Sequence, residues 1–282
     1  MYFEFDFKKP FESTNAIAEK YLSCMVSFFH EDNGGTNFSG FGSGFLVRHN
    51  KEMFIATAEH VISDAVKEYR SKIIANINHK FLSLNTCKYC QSANHDLAVF
   101  HLSKDFIKNN NLEFDVFFDA STDFSSEPNS CLFSLLMGYP YTKNQTIAYK
   151  RQKKFLFSIT SSLSTDKETV TSIINPLIFE FDKEKVLNSE GTQRTNPPHL
   201  KGMSGGVALG LYPSDNTEKG LLKAMVQGVL VEWDQENKIV VASSISKLKS
   251  LMTVLMEQVK KYEGEYFPDQ TIDTIDIHIE YK

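Results

Sequence analysis

The apolar residues of this sequence fall in short runs bounded by Gly, Asn, Ser or Asp, and this pattern limits the possible folds more than any other feature. The chain has 23 phenylalanines and 11 tyrosines, and most of them lie in these runs. Short aromatic and β-branched runs between turn-forming residues are typical of β-strands. We therefore predict an all-β sandwich or barrel instead of alternating βαβ units. The predicted strands are 21–30, 42–48, 53–57, 72–78, 97–102, 132–137, 155–160, 177–181, 206–211, 224–231 and 238–242.

Only the stretch before the C-terminal tail has the spacing of a long helix. Its apolar positions are Ile245, Leu248, Leu251, Met252, Leu255, Val259 and Tyr262. Apolar residues three and four apart form one face of a helix. Ser243 or Ser244 is a suitable N-cap, and Gly264 is a suitable left-handed stop. The sequence thus predicts an α-helix over 245–263.

Composition excludes several classes of protein. With 282 residues, 41% hydrophobic and 23% charged, the chain can bury one or two cores and is not predicted to be disordered. The net charge is −5 and the only dense basic stretch is 150–154, so no nucleic-acid partner is predicted. No apolar run approaches the roughly 18 residues that span a bilayer, so no membrane anchor is predicted. Four cysteines and a start without a secretion signal indicate a reduced, cytoplasmic protein.

The sequence Gly202-Met203-Ser204-Gly205-Gly206 carries the strongest chemical signal. Glycines on both sides of a serine let the backbone turn sharply, expose the hydroxyl and direct neighbouring N–H groups to one point. An acyl-transfer nucleophile requires this geometry. Taken alone, the motif is equally compatible with an ordinary Gly-Ser turn.

A serine nucleophile needs a base, and the base needs a carboxylate to orient it. His60 directly follows the predicted strand 53–57, at the start of what reads as a single helical turn. Asp96 stands at the mouth of the predicted strand 97–102. The two are therefore the candidate base and orienting carboxylate, the alternative being a structural pair at strand ends.

The motifs 57–61, 95–99 and 202–206, in this order, resemble those of trypsin-like (chymotrypsin-fold) serine peptidases, and most closely the bacterial HtrA-like branch without a PDZ domain. The glycine-rich 42–44 and the Gly-x-Pro turn at 138–140 are similar to further family elements. The resemblance spans about 40–242. It implies two six-stranded antiparallel β-barrels with the active site between them, a C-terminal α-helix and short extra end strands. The implied division is an N-terminal extension with a strand (1–20), the first barrel (21–110), a linker (111–130), the second barrel (131–244), the helix (245–263) and a tail strand (264–282).

The same resemblance implies the roles of the site residues. Ser204 would be the nucleophile, His60 the general base and Asp96 its partner, and the backbone N–H groups of Gly202 and Ser204 would form the oxyanion hole. No cofactor or metal is implied. The residues expected to contact substrate are Pro198, His199, Leu200, Glu232, Trp233 and Asp234.

Two departures from the family pattern bear on regulation. Met203 stands where secreted trypsins have the aspartate that pairs with a new N-terminus, so that activation chemistry is not available. The loop 182–201 is therefore expected to act as a switch. Glu59 adds a carboxylate beside His60, and either faces solvent or perturbs the His60 titration.

The function predicted is a regulated or target-restricted serine endopeptidase acting on proteins. The alternative is a catalytically silent module that binds peptides or a partner protein.

The remaining signals concern the cysteines and the ends of the chain. Cys87 and Cys90 have a spacing that suits a metal, but a second ligand pair is missing, and both readings stay open. Apolar residues alternate with polar ones at 3–7 and 275–281, which predicts half-buried end strands. These pair with each other or with a barrel edge, or else they dock on an activating partner protein or a second copy.

Overall fold

The structure is a computed structural model, and it describes residues 1–31, 37–69, 73–143, 146–147, 156–164, 171–187, 192–214 and 220–262. These ranges are mostly β-structure. The strands are β1 (Tyr2–Glu4), β2 (Met25–Glu31), β3 (Asn37–His49), β4 (Glu52–Thr57), β5 (Ile74–Ile77), β6 (Lys80–Ser83), β7 (Tyr89–Ser92), β8 (Leu97–Leu102), β9 (Phe118–Asp119), β10 (Phe133–Gly138), β11 (Thr146–Ile147), β12 (Phe157–Ser161), β13 (Leu177–Glu180), β14 (Val207–Pro213), β15 (Leu221–Asp234) and β16 (Ile239–Ser244). The helices are α1 (Pro10–Tyr21), α2 (Glu59–Tyr69), α3 (Lys104–Asn109) and α4 (Leu248–Tyr262).

The C-terminal sheet is a closed six-stranded barrel in the order β12-β10-β14-β15-β16-β13. Its two ends meet, because Leu163 forms a bridge with Phe179 just beyond β12. The Oγ of Ser161 also donates to the Glu180 carbonyl at 2.6 Å. Closure pairs part of the backbone of both edge strands, through hydrogen bonds from Ser164 N to the Ile178 carbonyl and from Glu180 N to the Ser162 carbonyl. The short β1 adds to β15 outside this path.

The N-terminal sheet has the order β6-β5-β2-β3-β4-β8-β7, and β9 and β11 add to β3. It therefore contains more short strands than the six expected. The register of β2 on β3 shifts between Phe28 and Phe29, and a bulge of this kind bends a strand and increases its twist. The bent sheet, the closed barrel and the C-terminal helix fit a chymotrypsin-like double-barrel fold, and the predicted all-β fold class is confirmed.

Phenylalanine fills much of the core. The rings of Phe28, Phe45, Phe54 and Phe100 are at most 2% exposed. Each buried side chain of this size contributes about 1.5–3 kcal/mol relative to an exposed one. The aromatic content of the sequence is thus explained by packing between strands.

Helices are more extensive than the sequence reading predicted. The strand expected at the N-terminus is limited to β1, and residues of the extension then form α1, which begins with Pro10 at its first turn. α1 buries Ile17, Ala18 and Tyr21 on one face. The single helical turn expected at His60 is the 11-residue helix α2. α1 was missed because its apolar residues are few and are interrupted by polar ones, and α2 was predicted too short.

The C-terminal helix agrees with the prediction over most of its length. A 3₁₀ turn, Ile245–Lys247, precedes α4, and the Oγ of Ser244 donates to Ser246 Oγ at 3.3 Å, so it does not cap a helical N–H. α4 packs on the N-terminal sheet, where His49 Nε2 lies 3.0 Å from Thr253 Oγ1. No described helix is both long and apolar enough to cross a membrane. The predicted tail strand 264–282 and the basic stretch 150–154 lie outside the described residues.

Candidate active site

His60 and Asp96 come from neighbouring strand ends of the N-terminal sheet. β4 ends at Thr57 and α2 begins at Glu59, which sets His60 in the first turn of the helix. Asp96 precedes β8 in a left-handed conformation with φ 46° and ψ 52°. Its side chain is thereby directed across to the start of α2, since β4 and β8 pair directly.

Asp96 binds His60 through both carboxylate oxygens. Oδ1 accepts from the His60 backbone N–H at 2.9 Å, and Oδ2 accepts from the ring Nδ1 at 2.7 Å. A proton on Nδ1 leaves Nε2 as the basic nitrogen of the neutral ring. The His60 side chain is 36% exposed and the Asp96 side chain is 16% exposed, so solvent can reach the pair from one side.

The charges around His60 favour its protonated form. Burial on its own lowers the pKa of His60, but the hydrogen bond and the charge of Asp96, followed by the charges of Asp64 and Glu59, raise it above its usual value. Glu59 is half-buried, and burial together with Asp96 raises the pKa of its own carboxyl. Of the two readings of Glu59, the structure favours an influence on the His60 titration.

The turn that carries Ser204 is fixed by its carbonyl groups. The Lys201 carbonyl accepts from Tyr141 N at 2.7 Å, and the Met203 carbonyl accepts from Gly206 N at 2.8 Å. The carbonyl of one residue and the N–H of the next belong to the same trans peptide unit and point in opposite directions. The N–H groups of Gly202 and Ser204 are therefore directed away from Tyr141 and Gly206, respectively, and neither donates to another described residue.

Gly205 allows this turn to lie directly against the N-terminal sheet. Its φ is +84°, and an added Cβ would lie 2.0 Å from the Ser43 carbonyl oxygen and 2.2 Å from Thr57 Oγ1. Ser43 belongs to β3 and Thr57 ends β4, the strand that leads to His60. The serine turn thus packs against the end of the strand that leads to His60, at the junction of the two sheets.

The Ser204 hydroxyl has a partner other than His60 in this structure. Its Oγ donates to the Val231 carbonyl at 3.1 Å. Val231 is the extra residue of a β-bulge, because the register of β15 on β16 shifts between Leu230 and Glu232. The hydroxyl must therefore leave the Val231 carbonyl before it can donate to the imidazole. Catalytic hydrogen bonds in substrate-free enzymes are often loose in this way.

A narrow apolar cavity of about 20 Å³ opens beside Ser204. Its lining residues are Leu136, Ile159, Leu200, Met203, Ser204, Leu230, Val231, Glu232, Trp233 and Val240. Leu136 and Ile159 face each other across β10 and β12, and this register has no signature in the sequence. These two residues of the lining were for that reason not predicted.

Of the six residues expected to contact substrate, Leu200, Glu232 and Trp233 line the cavity. The other three do not. His199 packs edge-on against the Trp233 ring with centroids 4.8 Å apart, and Asp234 accepts from the Asn237 backbone N–H at 3.0 Å. Pro198 is half-buried in the segment leading to the turn.

The cysteines are free thiols. Burial raises the pKa of Cys87 to about 12 and that of Cys90 to about 11, so both are protonated at neutral pH. Within the part of the chain that the structure describes, no three His, Cys, Asp or Glu side chains are arranged to hold a metal ion.

No protein-family model matches the chain, and no curated protein matches it. Among solved structures, the catalytically active tobacco etch virus protease with product aligns at 15% identity and a TM-score of 0.44, covering 84% of this chain and 78% of that one. The tobacco vein mottling virus protease aligns at 10% identity with a TM-score of 0.44, covering 80% of this chain and 78% of that one. A structure titled for the coupled folding and binding of the Sesbania mosaic virus VPg protein aligns at 16% identity with a TM-score of 0.43, covering 80% of this chain and 89% of that one. The fold assignment rests on the strand order and barrel closure described above.

Proposed function

We propose that this chain is a serine endopeptidase that hydrolyses peptide bonds of protein substrates. The observation that carries the proposal is the meeting of the His60–Asp96 pair and the Ser204 turn at the junction of the sheets. Three parts of the fold far apart in sequence supply a base, its orienting carboxylate and a glycine-flanked hydroxyl. A structural pair at strand ends gives no reason for such a turn to lie beside it.

In the proposed reaction, Ser204 Oγ attacks the substrate carbonyl while His60 Nε2 takes its proton. The carbonyl oxygen becomes an oxyanion, and the N–H groups of Gly202 and Ser204 stabilise it. His60 then gives the proton to the leaving amine as the C–N bond breaks. Water attacks the acyl-enzyme by the same route and regenerates Ser204. Asp96 stabilises the imidazolium in both steps.

Substrate binding itself would release the nucleophile. The pairing of β15 with β14 ends at Val229, and Leu230 then exchanges hydrogen bonds with Gly205 and Gly206. The Val231 carbonyl follows, and it is an acceptor suited to a backbone N–H of an extended substrate added beside β15. Competition for this carbonyl would turn the Ser204 hydroxyl toward His60.

The cavity indicates the side chain that precedes the cleaved bond. Its walls are mostly aliphatic, and its volume of about 20 Å³ suits a small aliphatic group better than a ring. Valine or alanine is the expected residue. Glu232 lies at the cavity but is exposed, and Asp234 is outside it, so we do not propose a basic preference.

We further propose that activity is restricted to particular targets inside a reducing compartment. Met203 is buried and apolar, so no charge pair of the secreted peptidases holds the turn. An activating partner protein, or self-association, is the proposed trigger. The alternative is a silent module that binds peptides, and the hydrogen bond from Ser204 to Val231 in place of His60 is the observation that favours it.

A fluorophosphonate probe separates the two functions, because it reacts covalently with an activated serine and not with an inert one. We expect labelling of the wild type that is lost in Ser204→Ala and in heat-denatured protein. Labelling that appears only with a partner would support the regulated enzyme. The absence of labelling under all conditions would refute the proposal and leave the binding module.

A further inference from the structure

Ser43 makes hydrogen bonds with both halves of the proposed site from the middle of β3. Its side chain is fully buried. Its Oγ donates to the Gly202 carbonyl at 2.7 Å and accepts from the Tyr139 N–H at 2.8 Å. Its backbone N–H donates to the Ser204 carbonyl at 2.8 Å, and its carbonyl accepts from Thr57 Oγ1 at 2.7 Å. All of the polar groups of Ser43 are therefore used.

Two of these contacts act on the peptide groups around Gly202. The Ser43 hydroxyl binds the Gly202 carbonyl directly. It also fixes Tyr139, two residues before Tyr141, whose N–H binds the Lys201 carbonyl. That second bond determines which way the Gly202 N–H points. One hydroxyl thus supports the peptide units on both sides of Gly202.

Within the described residues, the only hydrogen bond made directly to the Lys201–Gly202 peptide unit is the one from the Tyr141 N–H to the Lys201 carbonyl. Gly202 has a φ of +93°, and glycine has the widest backbone freedom of any residue. Met203 offers no charge that could anchor the turn, and its N–H bonds only within the turn, to the Leu200 carbonyl. Without Ser43, rotation of the Lys201–Gly202 peptide unit would place a carbonyl oxygen where the N–H is now.

We propose that Ser43 is a positioning residue that holds the Gly202 N–H in the orientation an oxyanion requires. The inference rests on the proposed function, because it assigns the orientation a catalytic use. Ser43 touches neither the reacting atoms nor, by the lining described above, the substrate cavity. Its loss should therefore slow the chemical step without weakening substrate binding.

The test compares Ser43→Ala with Ser134→Ala. Ser134 is equally buried and its Oγ donates to Gln227 Oε1 at 2.7 Å, so its loss removes a comparable hydroxyl away from the turn. The probe is a peptidyl diphenyl phosphonate with valine at the reacting residue, which reports initial binding and the rate of bond formation separately. Loss of an oxyanion donor slows reactions by about 10²–10³. For a donor that is misdirected part of the time, we expect Ser43→Ala to react roughly 10- to 100-fold more slowly, with initial binding within threefold of wild type.

Hydrogen exchange of residues 199–206 supplies a readout independent of activity. We expect faster exchange there in Ser43→Ala and unchanged exchange in Ser134→Ala. Should Ser43→Ala fail to fold, Ser43→Cys keeps the shape but weakens both hydrogen bonds, and the same direction of change is expected.

The outcomes distinguish this inference from the proposed function. A reactive wild type with an equally reactive Ser43→Ala would overturn the role of Ser43 and leave the peptidase intact. A wild type that reacts neither with this probe nor with the fluorophosphonate under any condition would refute the peptidase. In that case the hydrogen exchange of Ser43→Ala decides. Exchange faster than in the wild type and confined to 199–206 would support Ser43 as the residue that positions the turn. Unchanged exchange would refute the inference.

Discussion

Replacing Asp96 by Asn tests whether the His60 pair has a catalytic use. The carboxylate accepts two hydrogen bonds, from the His60 backbone N–H and from ring Nδ1. The backbone donor is obligatory, so the single oxygen of the amide must remain opposite it. The amide NH₂ then faces Nδ1 and donates to it. The ring is forced to carry its proton on Nε2, the nitrogen that has to accept a proton from Ser204.

The expected loss is large because the ring is held in the wrong tautomer while its position is preserved. A tautomer change of this kind costs about 10⁴ in rate, or about 5.5 kcal/mol of barrier. The substitution also removes the charge that raises the pKa of His60. Since the base acts when neutral, activity rises with pH through this pKa, and the acid limb should move to lower pH in the variant.

The assay is the hydrolysis of an activated acyl ester, which needs the nucleophile and base but little side-chain recognition. Glu59→Gln is the matched control, since it removes an equal charge near His60 without touching Nδ1. A rate of ester hydrolysis for Asp96→Asn within tenfold of the wild-type rate would refute the assignment of Asp96 as the carboxylate that orients His60. A loss of rate no greater than that of Glu59→Gln would refute it as well.

Thermal unfolding adds a second test of the same pair. The folded pKa of His60 is raised, so its contribution to stability is complete below the unfolded value of about 6.5 and is lost as pH rises through the folded value. The difference in melting temperature between wild type and Asp96→Asn should therefore narrow as pH increases. A difference that widens with pH would contradict the direction of the shift.

Three further predictions follow from the site. Glu59→Gln removes a charge that raises the pKa of His60, so the acid limb of the ester-hydrolysis profile should shift to lower pH; a shift to higher pH would contradict this. Gly205→Ala drives a Cβ into the Ser43 carbonyl at a positive φ, and a cost of about 3 kcal/mol should lower the melting temperature by roughly 6–12 °C, whereas a wild-type melting curve would show that the turn can move. Ile159→Ala enlarges the apolar cavity, so a peptide library should show a shift from small toward larger aliphatic residues before the cleaved bond, and an unchanged preference would place the specificity elsewhere.

Local patterns in the sequence were sufficient for most of the longer strands and for the residues of the proposed triad, but not for the short strands β6, β7, β9 and β11. The predicted strand 97–102 coincides with β8, because a continuous apolar run between turn residues needs no tertiary information. Ser204, His60 and Asp96 were found in the same way, each beside a strand end. The role of each in catalysis stays a prediction.

Features that depend on strand register or on contacts between distant parts of the chain could not be predicted from the sequence. The cavity wall formed by Leu136 and Ile159 exists only because β10 and β12 pair in one particular register. The helix α1 is stabilised by the packing of Ile17 and Tyr21 and carries a weak apolar pattern of its own. Ser43 gave no signal beyond two neighbouring glycines, since its partners are supplied by the other sheet.

The hydrogen bond between Ser43 and Gly202 joins residues 159 positions apart. Contacts of such long sequence separation form late, because the entropy of loop closure must be overcome first. During synthesis, the ribosome would release the strands bearing His60 and Asp96 long before the turn with Ser204. A nascent or prematurely terminated chain would then carry a histidine–aspartate pair without a nucleophile. On the proposed function, catalysis would have to wait until the sheet that carries Ser204 has been synthesised.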